Sequence, residues 1–405
     1  MKFLPIFTLF LCSALAQGAP LVGFASLEPA NQYQIVNVKG SKIFSATADT
    51  IRRVELRDGF AVVQTSTNNV SLIREDGKVI VDSFFGSEFE ISKKLFSVFN
   101  KDGVGAVFTL SGTKLYPALD ESQTRPVQNI WIANDRFAVL DKITKVLSVY
   151  SLEGKEIFRG NDSSRVLFSD GFLVAVSSLG TLSLYDAQSK ILATTSGVSQ
   201  IQISDEFAGF VESTGNLRLF SRQAGEFPIL SSVSNFSLTD TFAMVKDSFG
   251  LTVYGKDKMN LENPSSVKNV SFSHALFATV INTGALLIKN EETGDSFAVN
   301  QADSYAMSDD LLVVKNGMGQ FTIYSLQKET FGNAVDSILD QTVANFQVGK
   351  GIVSFETTLA SGASNSAKVF YISKVNGGIS KSVLVDESPV NRVNLSVNRE
   401  EWNWQ

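Results

Sequence analysis

The chain has 405 residues, with 35 Lys and Arg against 41 Asp and Glu, so its formal net charge is −6. No basic cluster stands out, which argues against nucleic-acid binding, since that requires a cationic face that displaces counterions. The single cysteine, Cys12, lies in the first sixteen residues, so the remaining chain has no disulfide and depends on its core alone.

Residues 1–16 have the pattern of a secretory signal peptide. Met1 and Lys2 give a short positive start, an apolar run follows, and Ala14 and Ala16 form a small-x-small cleavage site. The alternative is an uncleaved anchor, but the run is shorter than the ~20 residues of a membrane-spanning helix. We predict cleavage after Ala16 and a secreted or periplasmic protein without a membrane span.

Residues 17–31 are predicted to be a linker, and residues 32–405 a single domain built from one repeated phrase. The phrase reads SDGFLVAVSSLGTLSLY at 169–185, SDEFAGFVESTGNLRLF at 204–220 and TDTFAMVKDSFGLTVY at 239–254. A constant period of this length is typical of repeat architectures. Nine internal units carry the marker position of the phrase, at Asp58, Lys93, Asp135, Asp170, Asp205, Asp240, His274, Asp309 and Lys350.

Each unit of about 35 residues contains four short apolar stretches separated by Gly, Asn, Asp and Ser. In one unit these are 199–204, 207–212, 216–220 and 227–231. Alternation with period two between such turns predicts four antiparallel strands. Units of this kind bury both faces when they pack around an axis, so the fold class is all-β, a β-propeller with between seven and ten blades. A β-solenoid is the alternative.

The two ends of the chain are predicted to complete one blade together. Residues 33–48 resemble a third and a fourth strand without a first and a second. Residues 390–396 resemble a first strand, and 400–404 are a candidate for the start of a second. Pairing of these segments would close the ring and bring the count to ten blades.

The recurring aspartate and phenylalanine are predicted to be structural. The aspartate position lies between the first and second strands, where Asp or Ser bonds the backbone N–H groups of its own turn. Lys93, His274 and Lys350 occupy the same position and share no ligand chemistry with Asp. A phenylalanine that recurs in register is interpreted as a wedge between blades, at Phe60, Phe137, Phe172, Phe207 and Phe242.

The segment GTLSLYDAQSKIL at 180–192 is similar to the third strand and following turn of quinoprotein-like and WD-repeat propellers. The resemblance covers most of the chain as architecture, although the Trp-Asp dipeptide and the Gly-x-x-x-Trp ending of quinone-binding repeats are absent. Exported bacterial propellers of this kind often act as assembly scaffolds, so the resemblance implies that role.

The sequence offers little catalytic chemistry. His274 is the single histidine, which excludes a zinc motif with two histidines, and no Gly-x-Ser-x-Gly elbow is present. We therefore predict no catalytic residues, no metal and no cofactor, while calcium, which needs only oxygen ligands, stays open.

Three insertions depart from the regular period, at 117–127, 328–341 and 357–367. The second is predicted to form a short helix, because apolar residues recur at Val335, Ile338, Leu339 and Val343. All three are expected on one face, and long loops on a rigid scaffold often carry binding sites. The predicted binding residues are Leu115, Tyr116, Asp120, Glu121, Arg125, Phe331, Asp336, Ile338 and Leu339.

The sequence as a whole predicts an exported, non-catalytic propeller that binds another protein as an interaction or assembly scaffold, in the cell envelope or outside the cell. The alternative is a propeller hydrolase or lyase acting on envelope or extracellular carbohydrate, which converging carboxylates over the channel would favour. A purely structural envelope component is a third possibility.

Overall fold

The computed structural model describes most of the chain beyond residue 20. The described ranges are 21–26, 31–57, 59–117, 126–248, 250–257, 260–262, 267–273, 275–281, 284–290, 292–339, 343–357, 366–375, 378–387, 390–395 and 402–404. These residues form ten antiparallel sheets, and two 3-10 turns lie at Ala48–Thr50 and Lys328–Thr330.

Three strands precede the first complete sheet: β1 (Leu21–Ser26), β2 (Gln32–Asn37) and β3 (Lys42–Thr47). Blade 1 comprises β4 (Ile51–Arg57), β5 (Phe60–Thr65), β6 (Asn69–Arg74) and β7 (Val79–Phe85). Blade 2 comprises β8 (Glu88–Ile91), β9 (Leu95–Phe99), β10 (Gly105–Thr109) and β11 (Lys114–Tyr116). Blade 3 comprises β12 (Val127–Ile132), β13 (Arg136–Asp141), β14 (Leu147–Ser151) and β15 (Glu156–Gly160).

The central blades follow the same order. Blade 4 comprises β16 (Ser163–Phe168), β17 (Phe172–Ser177), β18 (Thr181–Asp186) and β19 (Ile191–Ser196). Blade 5 comprises β20 (Val198–Ile203), β21 (Phe207–Glu212), β22 (Leu217–Ser221) and β23 (Gly225–Glu226). Blade 6 comprises β24 (Asn235–Leu238), β25 (Ala243–Asp247), β26 (Gly250–Tyr254) and β27 (Asn260–Glu262).

The last blades lead to the C-terminus. Blade 7 comprises β28 (Val267–Ser273), β29 (Leu276–Ile281), β30 (Leu286–Asn290) and β31 (Ser296–Val299). Blade 8 comprises β32 (Ala302–Met307), β33 (Leu311–Asn316), β34 (Gln320–Ser325) and β35 (Ala334–Leu339). Blade 9 comprises β36 (Val343–Gly349), β37 (Ile352–Thr357), β38 (Ser366–Val375) and β39 (Gly378–Glu387). Two strands remain, β40 (Val390–Leu395) and β41 (Trp402–Trp404).

Blade 10 is built from both ends of the chain, as predicted. Its strand order is β3-β2-β1-β40, and β1 pairs with β40 antiparallel, with Phe24 opposite Val393. The source of its second strand differs from the prediction. That strand is β1, within residues 17–31, which the sequence pattern assigned to a linker, whereas β41 pairs with β28 of blade 7.

The ten blades form a closed ring around an axis. The first strands of successive blades contact each other at several steps, including blade 9 to blade 10 and blade 10 to blade 1. Nine hydrophobic clusters each combine residues of two neighbouring blades. The all-β propeller is thus confirmed, with nine internal blades and one composite blade.

The recurring phenylalanine is a wedge between blades, as predicted. Phe137, Phe172, Phe207 and Phe242 are almost fully buried, and Phe60 is half-buried. Each packs in a cluster that two neighbouring blades share. Burial of one such ring contributes about 2–3 kcal/mol, so the same position strengthens one blade interface after another.

In a four-stranded meander, alternate connections emerge at opposite ends of the strands. We call the end with the turns between first and second strands and between third and fourth strands the upper face. The lower face carries the turns between second and third strands and the connections between blades. The predicted insertion at 117–127 joins β11 to β12 and that at 357–367 joins β37 to β38, so both belong to the lower face.

The third insertion, 328–341, differs from the prediction. Its extra residues lie between β34 and β35, on the upper face, and the predicted helix is the strand β35. A bulge explains the misleading pattern: Tyr324 pairs with Ala334 and Ile323 pairs with Asp336, which leaves Val335 as an extra residue. Val335 and Ile338 then pack against one cluster although they are three residues apart, which is helical spacing.

Removal of residues 390–405 should lower the free energy of unfolding by several kcal/mol. The deletion leaves β1 without its partner β40 and exposes the edge and the packed face of blade 10. Removal of 397–405 alone is the matched control, since it keeps β40. Urea unfolding of the three chains measures the difference, and equal stabilities would contradict closure by β40.

Candidate functional site

Two of the predicted binding residues, Leu115 and Tyr116, pack against a neighbouring blade and are not exposed at the surface. Both lie in β11 and are half-buried against the cluster between blades 2 and 3. The Tyr116 ring lies 6.4 Å from the Phe137 ring and 5.8 Å from the Tyr150 ring, measured between centroids. Their role in this structure is to hold the outer strand of blade 2 against blade 3.

The predicted residues of the third insertion lie at the upper face or within its blade. Phe331 packs edge-on against the Phe297 ring, with 5.3 Å between centroids, in the cluster between blades 7 and 8. Ile338 packs in the cluster between blades 8 and 9. Asp336 is half-buried in β35, and its Oδ1 accepts the Ser337 N–H. Leu339 ends the same strand.

The remaining predicted residues lie outside the described residues, at Asp120, Glu121 and Arg125. The structure therefore does not bring the nine predicted residues together in one place. Binding by residues 118–125 stays a prediction, and the described residues on either side of them, Pro117 and Pro126, connect blade 2 to blade 3.

The same part of the lower face presents three apolar side chains that the sequence analysis missed. Val104, Ile143 and Leu179 lie in the turn between second and third strands of blades 2, 3 and 4, and are 47%, 74% and 89% exposed. We call these three residues the apolar arc. Leu179 occupies the turn position where Thr67 and Thr214 stand in other repeats, whereas Val104 and Ile143 lie at other positions of their turns.

Hydrogen bonds join the three turns of the apolar arc into one surface. The lower-face turn of blade 2 is linked to that of blade 3 through the segment that enters blade 3, and blade 3 is linked to blade 4 in the same way. The donors and acceptors are Val127 N–H to Gly103 O (2.8 Å), Lys142 N–H to Pro126 O (2.7 Å), Ser163 N–H to Lys145 O (3.1 Å) and Ser164 Oγ–H to Ser177 O (3.0 Å).

Lysines flank the apolar arc. Lys142 Nζ donates to the Lys101 carbonyl at 3.1 Å, and Lys145 Nζ donates to Gln128 Oε1 at 2.6 Å. These three lysines lie in the same turns as Val104 and Ile143. The surface thus combines apolar tips with cationic groups, a composition compatible with a protein interface that has a polar rim.

The upper face is organised by the recurring aspartate. The N–H of Asp135 donates to Asp170 Oδ1 at 2.9 Å, that of Asp170 to Asp205 at 2.8 Å, and that of Asp205 to Asp240 at 2.6 Å. We call this series the turn ladder. The aspartate was expected to bond its own turn, but Asp170, Asp205 and Asp240 each accept the N–H of the equivalent residue in the preceding blade.

The serines before Asp170 and Asp205 support both their own turns and the next blade. Ser169 Oγ accepts the Phe172 N–H at 3.1 Å, which confirms the predicted bonding of a turn by its serine. Its hydroxyl also donates to Ser204 O at 2.7 Å, and Ser204 Oγ donates to Thr239 O at 2.8 Å. The turns approach so closely that a Cβ on Gly171 would lie 2.0 Å from Asp205 O.

Arg136 extends this network between blades 3 and 4. Its Nε and Nη2 donate to Ser169 O at 3.0 and 2.7 Å, and its Nη1 donates to Ala187 O at 3.2 Å. The guanidinium also lies 4.9 Å from the centre of the Phe168 ring. Burial lowers the pKa of Arg136, while the charges of Asp170 and Asp205 act in the opposite direction.

A shallow groove of about 420 Å³ lies over the turn ladder and crosses blades 2 to 6. Its charged side chains are of both signs. The groove is lined by Lys93, Asp135, Arg136, Ile157, Asp170, Ala187, Asp205, Glu206, Arg222, Asp240 and Lys256. Its aspartates already accept hydrogen bonds from neighbouring turns or pair with lysine. These carboxylates therefore have a structural role, and the groove is the outer surface of the turn ladder.

The described part of the chain lacks the features of two other kinds of site. Within those residues no group of three or more His, Cys, Asp and Glu could hold a metal ion. No helix found there is long and apolar enough to span a bilayer. His274 lies outside the described residues.

The comparison with solved structures supports the propeller fold. A crystal structure of a eukaryotic initiation factor superposes with a TM-score of 0.53, covering 94% of this chain and 99% of its own, at 10% identity. The designed Ika8 protein gives 0.34, with 80% and 96% covered at 15% identity. BamB from Moraxella catarrhalis gives 0.30, with 63% and 87% covered at 10% identity. No family model and no curated protein matches the chain.

Replacement of Asp310 should change stability in a pH-dependent manner. Asp310 accepts the Gly351 N–H of blade 9 and the Ser308 hydroxyl, and burial raises its pKa above the usual 3.8. The ionised form therefore costs stability above the raised pKa, and that cost disappears as pH falls below the unfolded value. Relative to Asp310→Asn, the natural chain should thus gain stability on acidification.

Urea unfolding of both chains at a series of pH values measures this difference. Asp303→Asn is the matched control, because Asp303 is an exposed carboxylate in the same blade. A stability difference between the natural chain and Asp310→Asn that stays constant over the whole series would contradict the prediction.

Proposed function

We propose that this protein is an interaction scaffold that docks another protein on the lower face of blades 2 to 4. The apolar arc is the observation that carries the proposal. A single exposed apolar residue on a protein surface is ordinary, but here the same turn of three successive blades carries one. A partner that covered Val104, Ile143 and Leu179 would remove apolar area from water at three fixed points.

The chemistry of the surface indicates the kind of partner. Lys101, Lys142 and Lys145 lie in the same turns as Val104 and Ile143, so the matching surface would be apolar at its centre and acidic where it meets these two turns. Pro126, which follows the predicted binding segment in the chain, lies beside the arc, because its carbonyl accepts the Lys142 N–H. Asp120, Glu121 and Arg125 of that segment would extend the same surface.

The scaffold role includes two further proposals, export and the lack of catalysis. Export rests on the signal-peptide pattern of residues 1–16 and would place the partner in the envelope or outside the cell. A non-catalytic role is supported by the structural use of the turn-ladder aspartates, whose Oδ1 atoms accept backbone N–H groups.

The groove on the upper face is the specific observation that favours the alternative, a carbohydrate hydrolase or lyase. Converging carboxylates are the chemistry that glycoside cleavage requires. Glu206 lies in the groove and does not belong to the turn ladder, so it is the carboxylate that such an enzyme would use. Loss of polysaccharide cleavage in Glu206→Gln, with folding retained, would establish the alternative over the scaffold.

Substitution of the apolar arc should weaken partner capture without unfolding the protein. Ile143→Ser with Leu179→Ser removes the two most exposed tips, and we expect binding at least about tenfold weaker, since buried anchors contribute ~1–2 kcal/mol each. The partner is first identified by crosslinking in the native compartment and mass spectrometry, and its affinity is then measured with purified proteins.

Met318→Ser is the matched control for the apolar arc. Met318 lies in the equivalent turn of blade 8 and is 70% exposed. Its replacement removes an exposed apolar side chain away from blades 2 to 4, so partner affinity should not change. A second variant shortens 118–125 to the length of the regular connection. Native affinity in both the arc variant and the loop variant would place the docking surface elsewhere.

Export should remove residues 1–16 and leave Gln17 as the new N-terminus. This prediction is based on the spacing of Ala14 and Ala16 after an apolar run. The intact mass of the protein recovered from the exported fraction measures the outcome. A chain that retains Met1, or that carries lipid on Cys12, would refute the assignment.

A further inference from the structure

Blade 7 differs from the other blades at its channel side. Its sheet has five strands in the order β31-β30-β29-β28-β41, so β41 extends it beyond its first strand. In the nine other blades, as far as the structure describes them, the first strand ends the sheet. The extra strand consists of Trp402, Asn403 and Trp404, which lie opposite Phe272, Ser271 and Val270.

The chain reaches this position from blade 10. β40 is the first strand of blade 10 and ends at Leu395, while β28 is the first strand of blade 7. The first strands of successive blades contact each other around the axis, so their free edges face the channel. Seven residue steps separate Leu395 from Trp402 in the chain, and they can span at most about 25 Å.

The backbone pairing is antiparallel and covers only part of the edge. β41 pairs with three of the seven residues of β28. A strand edge carries a row of backbone N–H and C=O groups and is a template on which an extended peptide adds as a further strand. A three-residue ladder contributes few hydrogen bonds, so a longer strand could replace it.

Side chains of β28 are well covered at this site. Ser271 is 2% exposed, and its hydroxyl is hydrogen-bonded to the Tyr305 hydroxyl at 2.6 Å. Ser237, the equivalent residue of blade 6, is 4% exposed in a four-stranded sheet, so burial at this position reflects contact with the neighbouring blade and not a fifth strand.

We propose that the channel-facing edge of β28 is a binding site for an extended peptide strand, and that residues 402–404 occupy it as a competitor within the same chain. The site would recognise its ligand mainly through main-chain hydrogen bonds. It is independent of the docking surface on the lower face, because it lies inside the channel. Release of the C-terminal segment would open the edge to a segment of a partner protein.

A disulfide can lock the competitor in place. Ser271 and Asn403 are directly opposite, and Cα atoms of such antiparallel pairs lie ~4.5–5.5 Å apart, within the range that a disulfide bridges. In a full-length chain with Cys12→Ser, the pair Ser271→Cys and Asn403→Cys should crosslink within one chain on oxidation. Gln202→Cys with Asn403→Cys, which uses the equivalent residue of blade 5, is the matched control and should not.

The binding test uses a synthetic peptide of residues 397–405 and three proteins: the full chain, the oxidised locked chain, and a chain that ends at Ser396. The shortened chain should bind the peptide, and the locked chain should bind it at least about tenfold more weakly. Reduction of the lock should restore the behaviour of the full chain. Tethered segments compete at effective concentrations on the order of millimolar, so the peptide is tested up to about 5 mM.

Two results would overturn the proposal. One is a shortened chain that unfolds cooperatively, and is therefore folded, yet binds no peptide over the whole range. The other is equal crosslinking in the locked pair and its blade 5 control. Crosslinking between two chains rather than within one would assign the C-terminal segment to a second copy and would also contradict a competitor in cis.

Discussion

The packing of each blade against its two neighbours is the constraint on which the rest of this structure depends. A four-stranded blade has two apolar faces and can bury neither alone, so the nine described clusters all lie between blades. An open row of blades would leave two apolar faces in water. Closure through β40 and β1 removes both, in a chain with no cysteine beyond Cys12.

A ring held in this way also needs its blades fixed relative to one another at the turns. The turn ladder does this on the upper face, since Asp170 and Asp205 bond the turn of the preceding blade and Gly171 allows the turns to touch. Arg136 adds bonds across blades 3 and 4. This half of the ring is therefore rigid at its upper face, and its lower face is correspondingly suited to present the fixed tips of the apolar arc.

The sequence predicts the repeat well because one physical demand recurs in every unit. Phe172 and Phe207 each pack against the following blade, and Ser169 and Ser204 each bond their own turn, so the same residue type recurs with the same contact. The failures occur where a single unit departs from the average. A bulge at Val335 gives helical spacing to a strand. Leu115 and Tyr116 look like surface anchors because the sequence does not show which face of β11 meets blade 3.

The candidate sites were the least predictable part, and the reason is that they depend on position in the ring. In the sequence, Leu179 is one apolar residue among many. Its exposure is informative only because the turns of blades 2, 3 and 4 lie side by side in the ring. The pairing of Asn403 with Ser271 places β41, which follows strand β40 in the chain, on blade 7, a long-range pairing that no local pattern encodes. The blades of a repeat propeller thus come to differ from one another in two ways. Residues change at turns that the core does not constrain, and the chain ends pair outside the repeat pattern. Both put chemical differences on surfaces that the closed ring holds in place.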